Sequence, residues 1–219
     1  ESLKPPLQLE QRIWYNPEVR STDYLVPGVV AVVMTLIGSL LTALVIAREW
    51  ECGTMETLLV TRISVFELLA GKLIPYFVLG MAGFFISLAM AYLLFDVPIR
   101  GSLVLLLAVS ALFLLVALGM GLAISTVFRS QFVAALVSLV VTFLPAFLLS
   151  GFIFDIRSMP LIIQTITRLI AARYYVSMLQ TLFLVGNVGS ILLINSLYLL
   201  AMALFFLGLS YLKTGKQLD

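Results

Sequence analysis

The sequence has no histidine among its 219 residues, a single cysteine, Cys52, and a charged fraction of only 11%. Without histidine, the commonest general base and the commonest metal ligand are both missing, and no metal site is expected. One cysteine excludes a disulfide within these residues. Such sparse charge, set against 62% hydrophobic residues and a mean hydropathy of +1.16, excludes a soluble globular domain, because too few polar groups remain to cover its surface. A net charge of +2 leaves no footprint for nucleic acid.

Charge is entirely absent from five long runs: Leu25–Ala47, Leu73–Phe95, Ser102–Phe128, Gln131–Phe154 and Val188–Leu212. Each can cross a bilayer as a helix, which takes about 20 apolar residues. The expected fold is therefore all-α and polytopic, with five transmembrane helices and the lipid bilayer as solvent. No internal repeat is visible. Proton-driven carriers rely on ionisable groups buried in their spans, and their absence here points to energy arriving from elsewhere. This chain does not supply it from ATP: Gly71-Lys72 and Gly215-Lys216 lack the upstream glycine and the following Ser or Thr of a phosphate-cradling loop. Ser150-Gly151 has no histidine to activate a serine nucleophile, and Asp96 and Asp155 lie at run ends rather than facing each other in mid-membrane. No catalytic residue is assigned.

Five crossings put the two ends of the chain on opposite sides. Raw counts of basic residues do not orient it: six (Arg48, Arg62, Lys72, Arg129, Lys213, Lys216) face seven (Lys4, Arg12, Arg20, Arg100, Arg157, Arg168, Arg173). Position does, because Arg48, Lys72, Arg129 and Lys213 directly flank spans on one side. That side, with the Arg48–Lys72 loop and the tail 213–219, is expected to be cytoplasmic.

Outside the runs, Leu7, Leu9, Gln11 and Ile13 alternate with Gln8, Glu10 and Arg12 as in a strand, and Asn16-Pro17 marks a turn. The polar start at Glu1, with no signal-peptide pattern, suggests that residues 1–24 end a preceding domain. Between the fourth and fifth runs the chain is apolar but interrupted by Arg157, Arg168 and Arg173, which suits a pair of interfacial or re-entrant helices rather than a sixth span. Ser158 with Pro160 is a helix start, Leu161, Ile162, Ile166 and Leu169 share one face, and Tyr174 and Tyr175 suit the headgroup level.

Small and hydroxylated residues recur inside the runs. Thr35, Ser39 and Thr42 share a face of the first, beside Gly38; Gly80, Gly83 and Ser87 mark the second; Ala117, Gly121 and Ser125 mark the third. Close helix packing, with hydroxyls bonded to carbonyls, accounts for such residues. The sharper reading makes Thr35, Ser39 and Thr42, with Thr142 and Pro145 of the fourth run, the lining of a pathway or of a seam between two subunits. Pro145 also kinks its helix.

The loop from Arg48 to Lys72 is far longer than a turn requires, and it is patterned. Gly53 and Thr54 start a helix whose apolar side is Met55, Leu58 and Leu59; Thr61 to Ile63 break it; Ser64 and Glu67 form a capping box that opens the next helix. Such a helix either lies at the headgroups or fits a cleft on a soluble partner.

The string REWECGTMETLLVTRIS, followed by ELLAGK and PY, resembles the corresponding loop of ABC type 2 permeases, the membrane subunits of ATP-binding-cassette exporters. NPEVRSTDYLVPG resembles the return from that family's large extracytoplasmic domain, and SGFIFDIRSMPLIIQTITRLIAARYY its paired extracytoplasmic helices. Arg62 and Ala171 stand where many members carry proline. The three stretches occur in the family's order and cover nearly the whole chain. The resemblance, closest to the drug-efflux branch, implies six spans, a domain after the first, and pairing with a second permease subunit, identical or paralogous. It also implies a separate ATPase subunit that holds ATP and magnesium, contacted through Glu49, Glu51, Gly53, Thr54, Met55, Glu56, Leu58 and Leu59. The cargo would be hydrophobic or amphipathic and would leave across a bacterial inner membrane. A lipid or glycan exporter of the same architecture, or a membrane scaffold that transports nothing, are the alternatives.

Overall fold

The computed structural model describes residues 21–54 and 64–215. The strand-like alternation at Leu7–Ile13 and the end of the tail, 216–219, lie outside the described residues. Among those described there is no strand, and five helices are long and apolar enough to cross a membrane: Thr22–Glu51, Phe66–Leu93, Leu103–Val127, Gln131–Leu149 and Gly189–Thr214. Helices are the required solution, since a backbone in hydrocarbon must satisfy its own hydrogen bonds. The chain is an all-α, multi-pass membrane protein.

The two largest departures of the span ends from the apolar runs have local reasons. The second helix starts at Val65, not at Leu73, because the Ser64–Glu67 capping box nucleates it early: the Glu67 amide donates to Ser64 Oγ at 3.2 Å and the Ser64 amide to Glu67 Oε2 at 3.0 Å. Lys72 is therefore inside a helix. The fourth helix stops at Leu149, short of Phe154, because the chain turns at Gly151, whose φ of +88° is open to glycine at little cost. Two short helices follow, Leu161–Thr167 and Ala171–Gln180, as the interrupted apolar stretch leads one to expect.

The first and third spans form the centre; the second, fourth and fifth pack around them with mostly exposed apolar faces. Small residues let the two central helices approach. A Cβ on Gly38 would lie 2.5 Å from Ala117 Cβ, and one on Gly121 would collide with the Ser39 carbonyl. The helix Ala171–Gln180 turns inward and packs on the first, third and fifth spans. Tyr175 consequently faces protein and not headgroups: it is fully buried, stacks on Phe113 with ring centroids 4.1 Å apart, and donates its hydroxyl hydrogen to Ser110 Oγ at 2.8 Å. A buried phenol needs such a partner. Its neighbour Tyr174 stacks instead on Tyr198 near the surface.

Candidate functional site: a hydroxyl crossing and the base of a loop

Neither the first nor the fourth span is a uniform α-helix. Each widens for one turn into a π-helix, at Leu36–Leu40 and at Leu139–Phe143. Local chemistry accounts for both. Hydroxyls reach back four residues, from Ser39 to the Thr35 carbonyl at 2.7 Å and from Thr142 to the Ser138 carbonyl at 2.5 Å, and compete with the backbone ladder across each turn. In the fourth span Pro145 also removes the N–H that the Val141 carbonyl would accept.

The two widened turns meet. Ser39 Oγ and Thr142 Oγ1 lie 2.7 Å apart, and both side chains are buried. Each hydroxyl has a single hydrogen, so one donates across the crossing while the other donates to the carbonyl four residues back in its helix. Thr35 donates to the Ala31 carbonyl at 2.8 Å. Thr35, Thr142 and Pro145 also line a cavity of about 270 Å³, otherwise walled by apolar groups such as Phe113, Met120 and Leu149. Thr42 lies one turn further along, buried against Gly121, with no hydrogen-bond partner for its hydroxyl. The structure thus gathers Thr35, Ser39, Thr142 and Pro145 at one crossing and leaves Thr42 outside it.

The other group of expected site residues stands where the first span ends. Its helix runs to Glu51; the Cys52 amide donates to the Arg48 carbonyl and the Gly53 amide to the Trp50 carbonyl. Gly53 has φ +73°, the left-handed conformation that closes a helix C-terminus, and helix begins again at Thr54 directly after it, where the sequence places a helix start. Thr54 Oγ1 donates to the Glu49 carbonyl at 3.1 Å. Met55, Glu56, Leu58 and Leu59 lie outside the described residues.

Sequence reasoning placed Glu49 and Glu51 against a partner; the structure gives each a partner within the chain. Glu49 pairs with Lys72 of the second span. Glu51 accepts the Gln131 amide at 3.1 Å, supplying an acceptor to an orphan N–H at the start of the fourth span. Between them, Trp50 lies under the Arg129 guanidinium, 4.7 Å from its ring centroid. Beneath this polar layer Ile46, Leu68, Leu69 and Leu122 form an apolar cluster joining the first three spans. Three consecutive side chains at the end of one helix therefore tie it to the second span, to the third–fourth connection and to the fourth. The positions of Arg129 and Gln131 at a span boundary were visible in the sequence, but nothing local paired them with Trp50 and Glu51.

At the opposite end, the Gly101 amide donates to the Leu182 carbonyl and the Ser102 amide to Asn187 Oδ1, and Tyr24 donates to the Gly151 carbonyl. The connections thus sort onto two ends as the alternation of spans requires.

Residues 1–212 match the profile of the family described as ABC-2 family transporter protein. Over all 219 residues the chain is 50% identical to the probable multidrug ABC transporter permease YbhS of Escherichia coli K12, and it covers 58% of that protein. It is 30% identical over 177 residues, 81% of this chain and 48% of the relative, to the probable multidrug ABC transporter permease YbhR of the same strain. A third relative, the inner membrane transport permease YhhJ of that strain, is 30% identical over 222 residues, which cover this whole chain and 58% of the relative. The chain thus spans about half the length of these relatives. No solved structure matches it.

Proposed function

The chain belongs to the ABC-2 family of transporter proteins, a permease by that membership, and on this premise we propose that it exports a hydrophobic or amphipathic, drug-like compound on energy from ATP hydrolysed by a separate ATPase subunit. ATP and magnesium reside on that subunit; this chain binds neither. It works beside a second permease copy or paralogue in a bacterial inner membrane.

The observation that carries this reading is the base of the Arg48–Lys72 loop. Glu49, Trp50 and Glu51 connect it to the second span, the third–fourth connection and the fourth span through one ion pair, one cation–π contact and one capping hydrogen bond. A force applied to the loop reaches several spans at once, because packed helices joined by polar contacts move as bodies rather than deforming continuously. The Leu58 and Leu59 side of the loop takes the ATPase groove, and Glu49 and Glu51 hold the base against it. The Ser39–Thr142 crossing gives the moving helices a joint: two widened turns, one hydroxyl bridge, and a cavity beside them. π turns inside α-helices are frequent at functional sites.

The test uses inverted membrane vesicles containing the full-length permease and its ATPase, with an amphipathic fluorescent dye. ATP should drive dye uptake, and a proton gradient alone should not. Uptake sustained by the gradient without nucleotide would end this reading. The cytoplasmic placement of the loop has its own probe: Cys52 is exposed, so in a protein with no other cysteine an impermeant maleimide should label inverted vesicles and spare intact cells. The opposite pattern would reverse the topology.

A further inference from the structure

At the end of the molecule opposite the Arg48–Lys72 loop, the structure encloses a polar basin of about 410 Å³ between the start of the first span, the turn after the fourth, and the helices Leu161–Thr167 and Ala171–Gln180. Two of its lining side chains are buried without use. Ser150 is 2% exposed and its Oγ has no hydrogen-bond partner; Gln180 Nε2 is likewise buried and unpartnered. In an interior, an unmet donor is costly and rare, so such groups call for an occupant. Arg173 lines the same basin. One of its guanidinium nitrogens donates to Thr167 Oγ1 at 2.5 Å and to the Gln164 carbonyl at 3.3 Å, which fixes the charge in place with donors to spare.

The hydrogen-bonding capacity on offer is therefore two unmet donors beside a fixed cation. Asp155 stands exposed at the rim, where water weakens its field. Asp23, buried in the first turn of the first span with its own Oδ1 unpartnered, does not line the basin. A second feature lies nearby. The apolar cavity beside the hydroxyl crossing is built on the same two helical segments as the basin: Leu149 lines the cavity and Ser150 the basin, Ala172 the cavity and Arg173 the basin. An apolar slot and a donor-rich basin on neighbouring residues match a molecule with an acyl or alkyl tail and an acceptor-bearing head.

We infer that this basin receives the anionic headgroup, a carboxylate or a phosphate, of an amphiphile whose tail lies along the neighbouring apolar cavity. The inference rests on the export reading only in treating that amphiphile as cargo; the site stands on its own geometry. Ser150 and Gln180 select the headgroup by hydrogen bonds, and Arg173 selects its charge.

The experiment measures nucleotide-free binding to the full-length permease in discs of neutral phosphatidylcholine. The probes are a fluorescent long-chain carboxylate, its alcohol analogue and its trimethylammonium analogue. The carboxylate should bind about tenfold more tightly than the other two, the size of one good charge-assisted hydrogen bond. Ser150→Ala and Gln180→Leu should each weaken it about 3- to 10-fold and leave the alcohol unchanged. Neither variant forfeits an internal hydrogen bond through these atoms, so both should fold, and an unchanged melting temperature checks that. Equal affinity for the three probes, or carboxylate binding untouched in both variants, overturns the site. Displacement of the carboxylate by millimolar inorganic phosphate overturns the amphiphile, since a free anion then suffices. Intact binding without ATP-driven export would sink the export reading and leave this one standing; intact export without headgroup preference would do the reverse.

Discussion

The two ends of this molecule differ in what their polar side chains do. At the loop base the charged groups Glu49, Glu51, Lys72 and Arg129 each engage a partner within the chain, and the contacts stitch neighbouring spans together, although the Trp50 Nε1 between them is buried without a hydrogen bond. At the far end, Ser150 Oγ and Gln180 Nε2 are buried with nothing to bond. The first arrangement holds a shape; the second keeps recognition capacity in reserve. A satisfied group loses stability when it is removed, whereas an unsatisfied one loses only what it was waiting for. The same substitution logic therefore has opposite consequences at the two ends, and experiments can test the contrast directly.

The largest effect is expected just beyond the loop base. Replacing Leu58 and Leu59 together by Asp removes two apolar groups, each worth roughly 1.5–3 kcal/mol at full burial, and places charge in the proposed ATPase groove. The ATPase should no longer copurify with the permease, or its turnover should lose its dependence on cargo, with the permease still in the membrane. Unchanged copurification and export would make the loop a headgroup-lying helix and remove its role from the comparison.

Next comes the base itself. Glu51→Ala leaves the Gln131 amide without its acceptor and should cost about 1 kcal/mol of stability, the usual loss for a helix cap, read as a lowered melting temperature in detergent. Glu51→Gln keeps an oxygen acceptor and should restore most of it. If the alanine variant melts like the parent, the base is not the brace described here.

Smaller still is the hydroxyl crossing at mid-membrane. A double-mutant cycle with Ser39→Ala and Thr142→Val should return a coupling of about 0.6 kcal/mol, the average for interhelical hydrogen bonds within membranes. A coupling of zero would mean that the two π turns touch without bonding. If the joint matters for movement, the cycle should also slow export more than it lowers stability; equal effects on both would return Ser39 and Thr142 to ordinary packing.

The smallest expected change sharpens the contrast most. Ser150→Ala should shift stability by less than about 0.5 kcal/mol, or raise it slightly, because a buried hydroxyl without a partner is being removed. A loss comparable to that of Glu51→Ala would show that the basin is braced like the base and that the two ends are alike.

Much of this was legible before any coordinates. The spans follow from charge-free runs, and the Ser64–Glu67 capping box was visible as a four-residue pattern whose hydrogen bonds form as that pattern requires. The small residues Gly38, Ala117 and Gly121 were legible as packing positions, and they do bring two helices together. Glu49 and Glu51 were legible as special but not in their partners: charges next to an amphipathic segment suggest an external surface, while Lys72 and the Gln131 amide come from other helices. Tyr175 misled for a related reason. A tyrosine pair beside an arginine fits a headgroup zone, yet the short helix carrying it dips inward and buries one ring of the two.

The sequence by itself determined that this chain crosses a membrane in five helices, where those helices begin and end to within a turn or two, and that the chain carries no phosphate-binding loop. These are local consequences: hydrocarbon leaves the backbone no partner but itself, and a cap or a glycine acts within a few residues. Only the tertiary structure decided which faces meet. In spans that are apolar on every side, no local pattern distinguishes a face that packs on protein from one that faces lipid. The contact between Ser39 and Thr142, 103 positions apart, the brace at Glu51 and the basin around Ser150 are set by how small residues let distant helices approach. That is a property of pairs of surfaces, and no single segment carries it.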